Sequence, residues 1–341
     1  MTQKRILVTG GAGYIGAHTA VELVQAGYEP VIVDDLSKSD PTLLNGIEKI
    51  TGQKPNFQKG DCTHYEFLSS VFKTQGPFSG VMHFAAYKSV GESVQKPLEY
   101  FRNNIDSLIA VLEVMKEFGV RDFIFSSSCT VYGQPDQIPV NESAPFKRAE
   151  SPYGATKQMC ERILEDAHTT GFRIISLRYF NPIGAHPSAN LGELPIGIPN
   201  NLGPYITQTA AGKREKLTVF GDDYATPDGS CIRDFIHVVD LALAHVKALE
   251  YLEKQSGTNT YQVFNLGTGI GISVLELITA FEKVTGVKLP YGIGPRRAGD
   301  IEKVYADPTK VNTILHWKTK FTIEEALLHA WAWEKKLPAK G

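Results

Sequence analysis

The sequence predicts an α/β fold, a doubly wound parallel sheet followed by a smaller, interleaved C-terminal domain. Three observations predict it. Short apolar runs alternate with helical patterns through the first half of the chain, and such alternation places strands in parallel with helices on both faces. A glycine-rich turn joins the first strand to the first helix. After Asn181 the texture changes: residues 182–232 are rich in Pro, Gly and Asn, with few long periodic runs.

Ile6-Leu7-Val8, within Arg5 to Thr9, is an unbroken apolar run of the kind that suits a strand covered on both faces. A helix from about Ile15 to Gln25 follows and ends near Gly27. Val31-Ile32-Val33 is the second strand, Phe57 to Lys59 the third, Val81 to Phe84 the fourth, Phe123 to Ser126 the fifth and Arg173 to Tyr179 the sixth. The clearest helices between them cover Ile105 to Phe118 and Tyr153 to Ala167. Beyond the irregular stretch, Phe235 to Leu252 returns to a helical pattern, and Val263-Phe264-Asn265-Leu266 reads as another strand. Residues 1–181, joined by about 233–267, are expected to form the sheet domain, and 182–341 mostly the second domain.

The 341 residues are 42% hydrophobic and 21% charged with a formal charge of −2, the balance of an ordinary globular chain of one large α/β unit or two domains. No basic face is implied, so no nucleic-acid partner is expected. No apolar run approaches the roughly 20 residues of a membrane helix, and a strand beginning at Arg5 leaves no secretory leader to expect. Cys62, Cys129, Cys160 and Cys231 form no C-x-x-C pair, so neither a metal site nor a disulfide framework is expected. Reduced thiols lead to the expectation of a cytoplasmic protein.

The turn reads Gly10-Gly11-Ala12-Gly13-Tyr14-Ile15-Gly16, after a strand and opening a helix. In that context Gly10 permits the tight turn, Gly13 lets backbone N–H groups approach a pyrophosphate, and Gly16 lets helix and strand pack closely. Asp34 ends the second strand, where a carboxylate accepts hydrogen bonds from ribose hydroxyls. Asp35 adds a second charge, and with no Arg beside the pair a 2′-phosphate is repelled, so NAD is favoured over NADP. The first domain is thus read as Rossmann-type and NAD-binding. Asp61 follows another strand and can meet the adenine. Phe84-Ala85-Ala86 follows a further one, where small residues let the chain pass close to a cofactor.

Ser151-Pro152-Tyr153-Gly154-Ala155-Thr156-Lys157 places Tyr153 and Lys157 one helical turn apart on one face. A Tyr of ordinary pKa near 10 is a poor base at neutral pH. A Lys ammonium and a positive nicotinamide ring would both favour its phenolate, giving an acid/base suited to a sugar hydroxyl. Ser128 ends a strand and is placed to share that proton. Alone, a Y-x-x-x-K pair is common; behind a dinucleotide fingerprint and a strand-end serine it is a specific signal.

Eight ordered blocks span nearly the whole chain: GGAGYIG at 10–16, HFAAYKSVGESVQKPLEY at 83–100, SSSCTVYG at 126–133, SPYGATK at 151–157, LRYFNPIGAHP at 177–187, GIPNNLGPYI at 197–206, RDFIHVVDLA at 233–242 and RRAGD at 296–300. With them the chain resembles the extended short-chain dehydrogenase/reductase superfamily and, within it, the UDP-hexose 4-epimerases. The resemblance implies an NAD-dependent isomerase acting on a UDP-hexose. It implies that Tyr14 and Ile15 line the pyrophosphate turn with Asp34, Ser37 and Ser39 nearby, and that Asp61 and Cys62 face the adenine. It places Phe84, Lys88 and Asn103 beside the cofactor, Lys157 at the nicotinamide ribose and Phe180 by the nicotinamide. Ser128 and Tyr153 would touch the sugar, while Asn181, Asn201, Arg233, Arg297 and Asp300 would contact the UDP part. Such arginines can clamp a pyrophosphate bidentately, although a structural salt bridge is the alternative for Arg233.

Val304, four residues after Asp300, stands where the resemblance implies a wall of the sugar pocket, and a small wall residue goes with acceptance of N-acetylated sugars. Sugar-nucleotide dehydratases of the superfamily resemble S-T-D-E-V-Y-G at the strand end. Here Cys129 and Thr130 replace the acidic pair, so water loss lacks its acid and base. Another sugar-nucleotide oxidoreductase and a non-catalytic NAD sensor are the alternatives. The resemblance also implies a homodimer through helices near 105–118 and 153–167. Leu108, Leu112 and Met115 form an amphipathic stripe there that an intramolecular core would use equally well.

Overall fold

The apolar runs of the first half become strands of one parallel sheet. The computed structural model describes residues 3–257, 259–297 and 300–338; Ala298 and Gly299 of the RRAGD block lie outside the described residues. The first part of the chain runs β1 (Arg5–Thr9), α1 (Tyr14–Gln25), β2 (Glu29–Asp34), α2 (Thr42–Thr51), β3 (Asn56–Lys59), α3 (Tyr65–Gln75), β4 (Phe78–His83), α4 (Val90–Gln95), α5 (Pro97–Glu117), β5 (Asp122–Ser128), α6 (Pro152–Ala167) and β6 (Arg173–Tyr179). The second part runs β7 (Asn181–Ile183), α7 (Leu202–Ala210), β8 (Leu217–Phe220), β9 (Ile232–Arg233), β10 (Phe235–His237), α8 (Val238–Glu253), β11 (Thr260–Leu266), β12 (Ile272–Ser273), α9 (Val274–Thr285), β13 (Tyr291–Gly294), β14 (Lys303–Val304), α10 (Thr309–Ile314) and α11 (Ile323–Lys336).

Seven strands lie side by side in the order β11-β6-β5-β4-β1-β2-β3. All neighbours are parallel, with Leu7 opposite Val31 on one side and Val81 on the other. The order reverses between β1 and β4, and the crevice above such a switch point is where open α/β sheets bind ligands. One face is covered by α3, α5 and α6 through Leu68, Phe72, Leu108, Val111, Met115 and Leu164. The other is covered by Leu23 of α1 and by Leu241, Leu249 and Leu252 of α8, with Val311 and Trp317 beside them. Each such side chain taken out of water contributes roughly 1.5–3 kcal/mol. A separate core of Ile206, Leu277, Phe281 and Leu327 joins α7, α9 and α11.

The expected strands are present, with β4 and β11 each beginning three residues earlier than expected, and two helices begin elsewhere than expected. The helix expected from Ile105 begins at Pro97, because Pro occupies the first helical position and Glu99 lies in the first turn. Its first turns lack the apolar stripe, with Leu98 81% exposed. The helical pattern from Phe235 opens instead with strand β10, which pairs parallel with β7. The helix starts at Val238, where the His237 ring accepts a hydrogen bond from Val239 N and caps it. Among the described residues no helix is long and apolar enough to cross a membrane.

Candidate active site

The site begins where β1 turns into α1. Gly10 has φ +68°, and a Cβ there would stand 2.6 Å from Ala85 N, so both the backbone conformation and the approach of the β4 exit exclude a side chain. Gly16 lies on the turn itself: its Cβ would meet Gly10 O at 2.4 Å. Gly13 is the N-cap of α1 and offers no side-chain cap, and Gly13, Tyr14 and Ile15 line the crevice, so the first N–H groups of the helix are left for a ligand there. These features form a cradle whose shape fits a dinucleotide pyrophosphate.

Asp34 is buried at the end of β2. Its carboxylate accepts from Ala12 N at 3.1 Å, Leu36 N at 2.9 Å and Ser39 Oγ at 2.7 Å. Burial raises its pKa above the ordinary carboxylate value, opposed by those three hydrogen bonds, while the charge of Asp35 adds to the rise. Asp35 accepts from Ser37 N at 2.8 Å. Burial pushes the Cys62 thiol well above its usual range, with the charges of Asp34, Asp61 and Asp35 adding to it, so Cys62 is an inert wall rather than a nucleophile.

A cavity of about 630 Å³ opens above this turn. It is lined by Gly10, Gly13, Tyr14, Ile15, Gly16, Asp34, Asp35, Ser37 and Ser39, by Asp61, Cys62, Phe84, Ala85, Lys88 and Asn103, and at its far end by Tyr153, Lys157 and Asn201. Residues from seven separate parts of the sequence thus meet in one crevice. Ser128, Phe180, Asn181, Arg233, Arg297, Asp300 and Val304 are not among its lining residues. The last four form a group of their own: Val304 pairs with Arg233 across β14 and β9, and Asp300 lies 3.8 Å from Arg233 Nη2 and accepts from Arg297 Nη2 at 2.7 Å and Nε at 3.2 Å. One carboxylate therefore holds both arginines in this structure.

The chemistry sits where β5 meets α6. Ser151 caps α6 by accepting from Gly154 N at 3.2 Å, and Pro152 takes the first helical position. Burial pushes the Tyr153 phenol up to about 12; the neighbouring Ser128 hydroxyl pulls it down, and Cys129 and Cys160 raise it. Burial also lowers the Lys157 ammonium to about 8, against the raising effect of Cys160 and Glu161. Lys157 Nζ donates to Ser126 O at 2.6 Å and stands 5.9 Å from the centre of the Tyr153 ring. The arrangement holds a proton on a phenol beside a serine hydroxyl and an adjustable positive charge. That is acid/base apparatus for a hydroxyl substrate.

Three residues with a part in the site escape a reading by local spacing. Glu193 Oε1 accepts from Asn201 Nδ2 at 2.6 Å and from Lys88 Nζ at 3.3 Å, joining both sides of the crevice. Asp234, fully buried, accepts from Thr268 N and Oγ1, Gly269 N and Ala306 N at 2.6–3.1 Å, and so fixes the segments around β9 and β14. Asn104 accepts from Tyr87 N at 2.8 Å and donates to Thr156 Oγ1 at 3.0 Å, tying the β4 exit to α6. Only Asn104 left a signal: it is a polar residue at i+4 from Tyr100 and i−4 from Leu108 on the buried stripe of α5.

Comparison with known proteins agrees in extent and in kind. A family model described as GDP-mannose 4,6 dehydratase matches residues 7–329. A UDP-glucose 4-epimerase of Bacillus subtilis (strain 168) is 50% identical over 331 residues, 96% of each chain. The crystal structure of UDP-glucose 4-epimerase from Bifidobacterium longum in complex with NAD+ and UDP is 45% identical, covers 98% of both chains and superposes with a TM-score of 0.94. The UDP-Glc/GlcNAc 4-epimerase from Campylobacter jejuni is 38% identical over 98% of this chain and 100% of its own, with a TM-score of 0.82.

Proposed function

The chain belongs to the UDP-glucose 4-epimerase family, within the extended short-chain dehydrogenases/reductases, and from that premise we propose that Tyr153, Lys157 and Ser128 carry the chemistry of an NAD-dependent isomerase that inverts C4 of UDP-hexoses. The observation that supports this assignment is the meeting of β5 and α6 beside the nucleotide crevice, which Tyr153 and Lys157 line, with the Ser128 hydroxyl close to the Tyr153 phenol and Lys157 Nζ 5.9 Å from the centre of its ring. Bound NAD supplies the acceptor and donor of the C4 hydride. Tyr153, as phenolate, takes the 4-OH proton and Ser128 relays it, leaving a 4-keto sugar. Lys157 favours the phenolate by its charge. Tyr153 returns the proton after the hexose has turned its other face to the same groups. Asn181, Asn201, Arg233, Arg297 and Asp300 hold the UDP half while the sugar moves, so that binding energy far from C4 keeps the reacting group within reach. Residues 1–181, joined by about 233–267, hold the cofactor in this reading, and 182–341 mostly the substrate.

Cys129 and Thr130 stand where a dehydratase would place its acidic pair, which favours epimerisation over water loss within the family. The test is incubation with UDP-galactose. UDP-glucose should form to equilibrium with no NADH accumulating, and Tyr153→Phe should lower turnover by at least ~10² while UDP still binds. Stoichiometric NADH release would point to a dehydrogenase instead, and near-wild-type turnover of the variant would remove Tyr153 from the mechanism.

A second reading concerns substrate breadth. Val304 is 3% exposed and packs with Phe180, Val131 and Tyr132, close to the strand end that carries Ser128. Its short side chain, in place of a phenol ring, supports a pocket that accepts UDP-N-acetylglucosamine and UDP-N-acetylgalactosamine as well. One wall residue changes discrimination by about 1–3 kcal/mol. Val304→Tyr should therefore lower kcat/KM for the acetamido pair 10- to 200-fold relative to the glucose/galactose pair. A wild type that ignores the acetamido sugars overturns this reading.

The same reading includes a cytoplasmic homodimer. The four cysteines are free, which supports a reducing compartment. Leu108, Leu112 and Met115 lie inside the protomer, whereas Leu98 and Ile109 of α5 and Met159 of α6 face outward and are left for a partner.

A further inference from the structure

Three consecutive serines at the end of β5 each meet α6, at residues spaced four apart. Ser128 stands beside Tyr153, and its hydroxyl draws the phenol's pKa down. Ser126 O accepts from Lys157 Nζ at 2.6 Å. Ser127 Oγ donates to Glu161 Oε1 at 2.5 Å. Tyr153, Lys157 and Glu161 follow one helical face. Glu161 is the last rung of this ladder, and it is 2% exposed. A buried carboxylate needs a counter-charge and full hydrogen bonding. Arg178 of β6 supplies both: its Nε donates to Glu161 Oε1 at 2.9 Å and its Nη2 to Oε2 at 2.6 Å. The chain of bonds continues from Arg178 Nη1 to the Tyr132 hydroxyl at 2.8 Å, and from that hydroxyl to Asn265 Oδ1 of β11 at 2.6 Å.

We propose that Glu161, clamped between Ser127 and Arg178, is a positioning residue that sets the register of α6 against β5 and so holds Tyr153 and Lys157 at their working distances from Ser128 and Ser126. Hydrophobic packing fixes how closely a helix lies on a sheet. It fixes poorly how far the helix slides along its axis, because apolar contacts have no preferred direction. A bidentate ion pair two turns beyond Tyr153 opposes that sliding, since axial movement breaks charge-assisted bonds of fixed geometry. The proposal rests on the epimerase reading, which assigns Tyr153 and Lys157 their roles.

The experiment compares wild type, Ser127→Ala, and the double variant Glu161→Leu/Arg178→Met, each as holoenzyme with UDP-galactose. The double variant replaces the buried pair with apolar groups of similar size, an exchange that folded proteins tolerate well; Ser127→Ala leaves the pair intact and loosens only its link to β5. A misplacement of about 1 Å costs up to ~10²-fold in rate. The expected result is a kcat lower by at least ~10-fold in the double variant and by ~3-fold or more in Ser127→Ala. KM and cofactor retention should stay near wild type, and the acid limb of the kcat–pH profile should move to higher pH as Lys157 loses its hold near the phenol. Wild-type kcat and pH profile in either variant overturns the proposal, as does a loss of kcat accompanied by equal losses of UDP and NAD binding. A wild type without epimerase activity removes the reading beneath it, whereas active wild type with equally active variants removes the positioning role alone.

Discussion

Lys157 holds its charge under tension. Burial has brought its ammonium down to about 8, so it is still protonated at neutral pH but its grip on the proton is weak. In the proposed mechanism Tyr153, pushed to about 12 by burial, relies on that charge and on the cofactor to ionise. Lys157→Met should therefore turn over slowly and recover in part as the pH rises, because added hydroxide replaces the missing charge in favouring phenolate. A pH–rate profile of unchanged shape would show that Lys157 does not govern Tyr153. Glu22 of α1 makes a second prediction. Burial raises its pKa to about 7, with Lys320 lowering and Asp240 raising it. Between pH 4.5 and 7 the folded chain therefore holds a proton that the unfolded chain has lost, so stability falls as pH rises through that window. Glu22→Gln should match wild type near pH 4.5 and exceed it by ~2–3 kcal/mol above pH 7 in urea unfolding; a pH-independent difference would refute this. At this scale the sequence was most legible where chemistry is local. Gly10, Gly16, Tyr153 and Lys157 are defined by spacing within a single turn or helix. Glu193 was not legible, because its meaning lies in Lys88 and Asn201, and no local spacing links the three.

Between elements, Asp234 acts as a hub. It sits between β9 and β10 and binds the loop after β11 and the segment after β14 through four donors. Asp234→Asn would turn an NH2 group toward N–H donors that now point at a carboxylate oxygen, costing about 1–3 kcal/mol. The strands it secures carry Arg233 and Val304 rather than Tyr153. KM for the UDP-sugar should therefore rise several-fold while kcat stays within a few-fold of wild type. A kcat loss without a KM change would place Asp234 in the chemistry instead. Apolar periodicity revealed the strands of the sheet, since their cores are continuous runs. It gave the start of α5 too late, because Pro97 and Glu99 begin that helix before its apolar stripe does. It merged β10 into α8, because Phe235-Ile236 continues the apolar content of the helix and only the His237 cap marks the boundary.

For the whole molecule, the proposed dimer rests on the apolar side chains that the fold leaves outside. Ile109 and Met159 are 39% and 47% exposed on helices that also carry the site's architecture inward. Replacing both by Glu puts charges at the centre of the proposed contact and should convert a two-chain species to one chain in light scattering at micromolar protein. A wild type that already runs as a single chain would remove the dimer. The seventh strand shows the extent and the limit of what could be read in advance. Val263 to Leu266 is recognisable as a strand, yet only the paired backbone places it beside β6, outside the last strand of the first half.

That placement matters while the protein is being made. On the ribosome, β6 emerges long before its neighbour β11, which comes only after everything from Asn181 to Asn259 has been synthesised. At ~5–20 residues per second this leaves several seconds during which the apolar Ile174-Ile175-Ser176-Leu177 edge has no partner. An unpaired apolar edge strand is a template for association with other chains. Nascent chains halted before Thr260 should therefore be held by chaperones or precipitate, and chains halted after Leu266 should not.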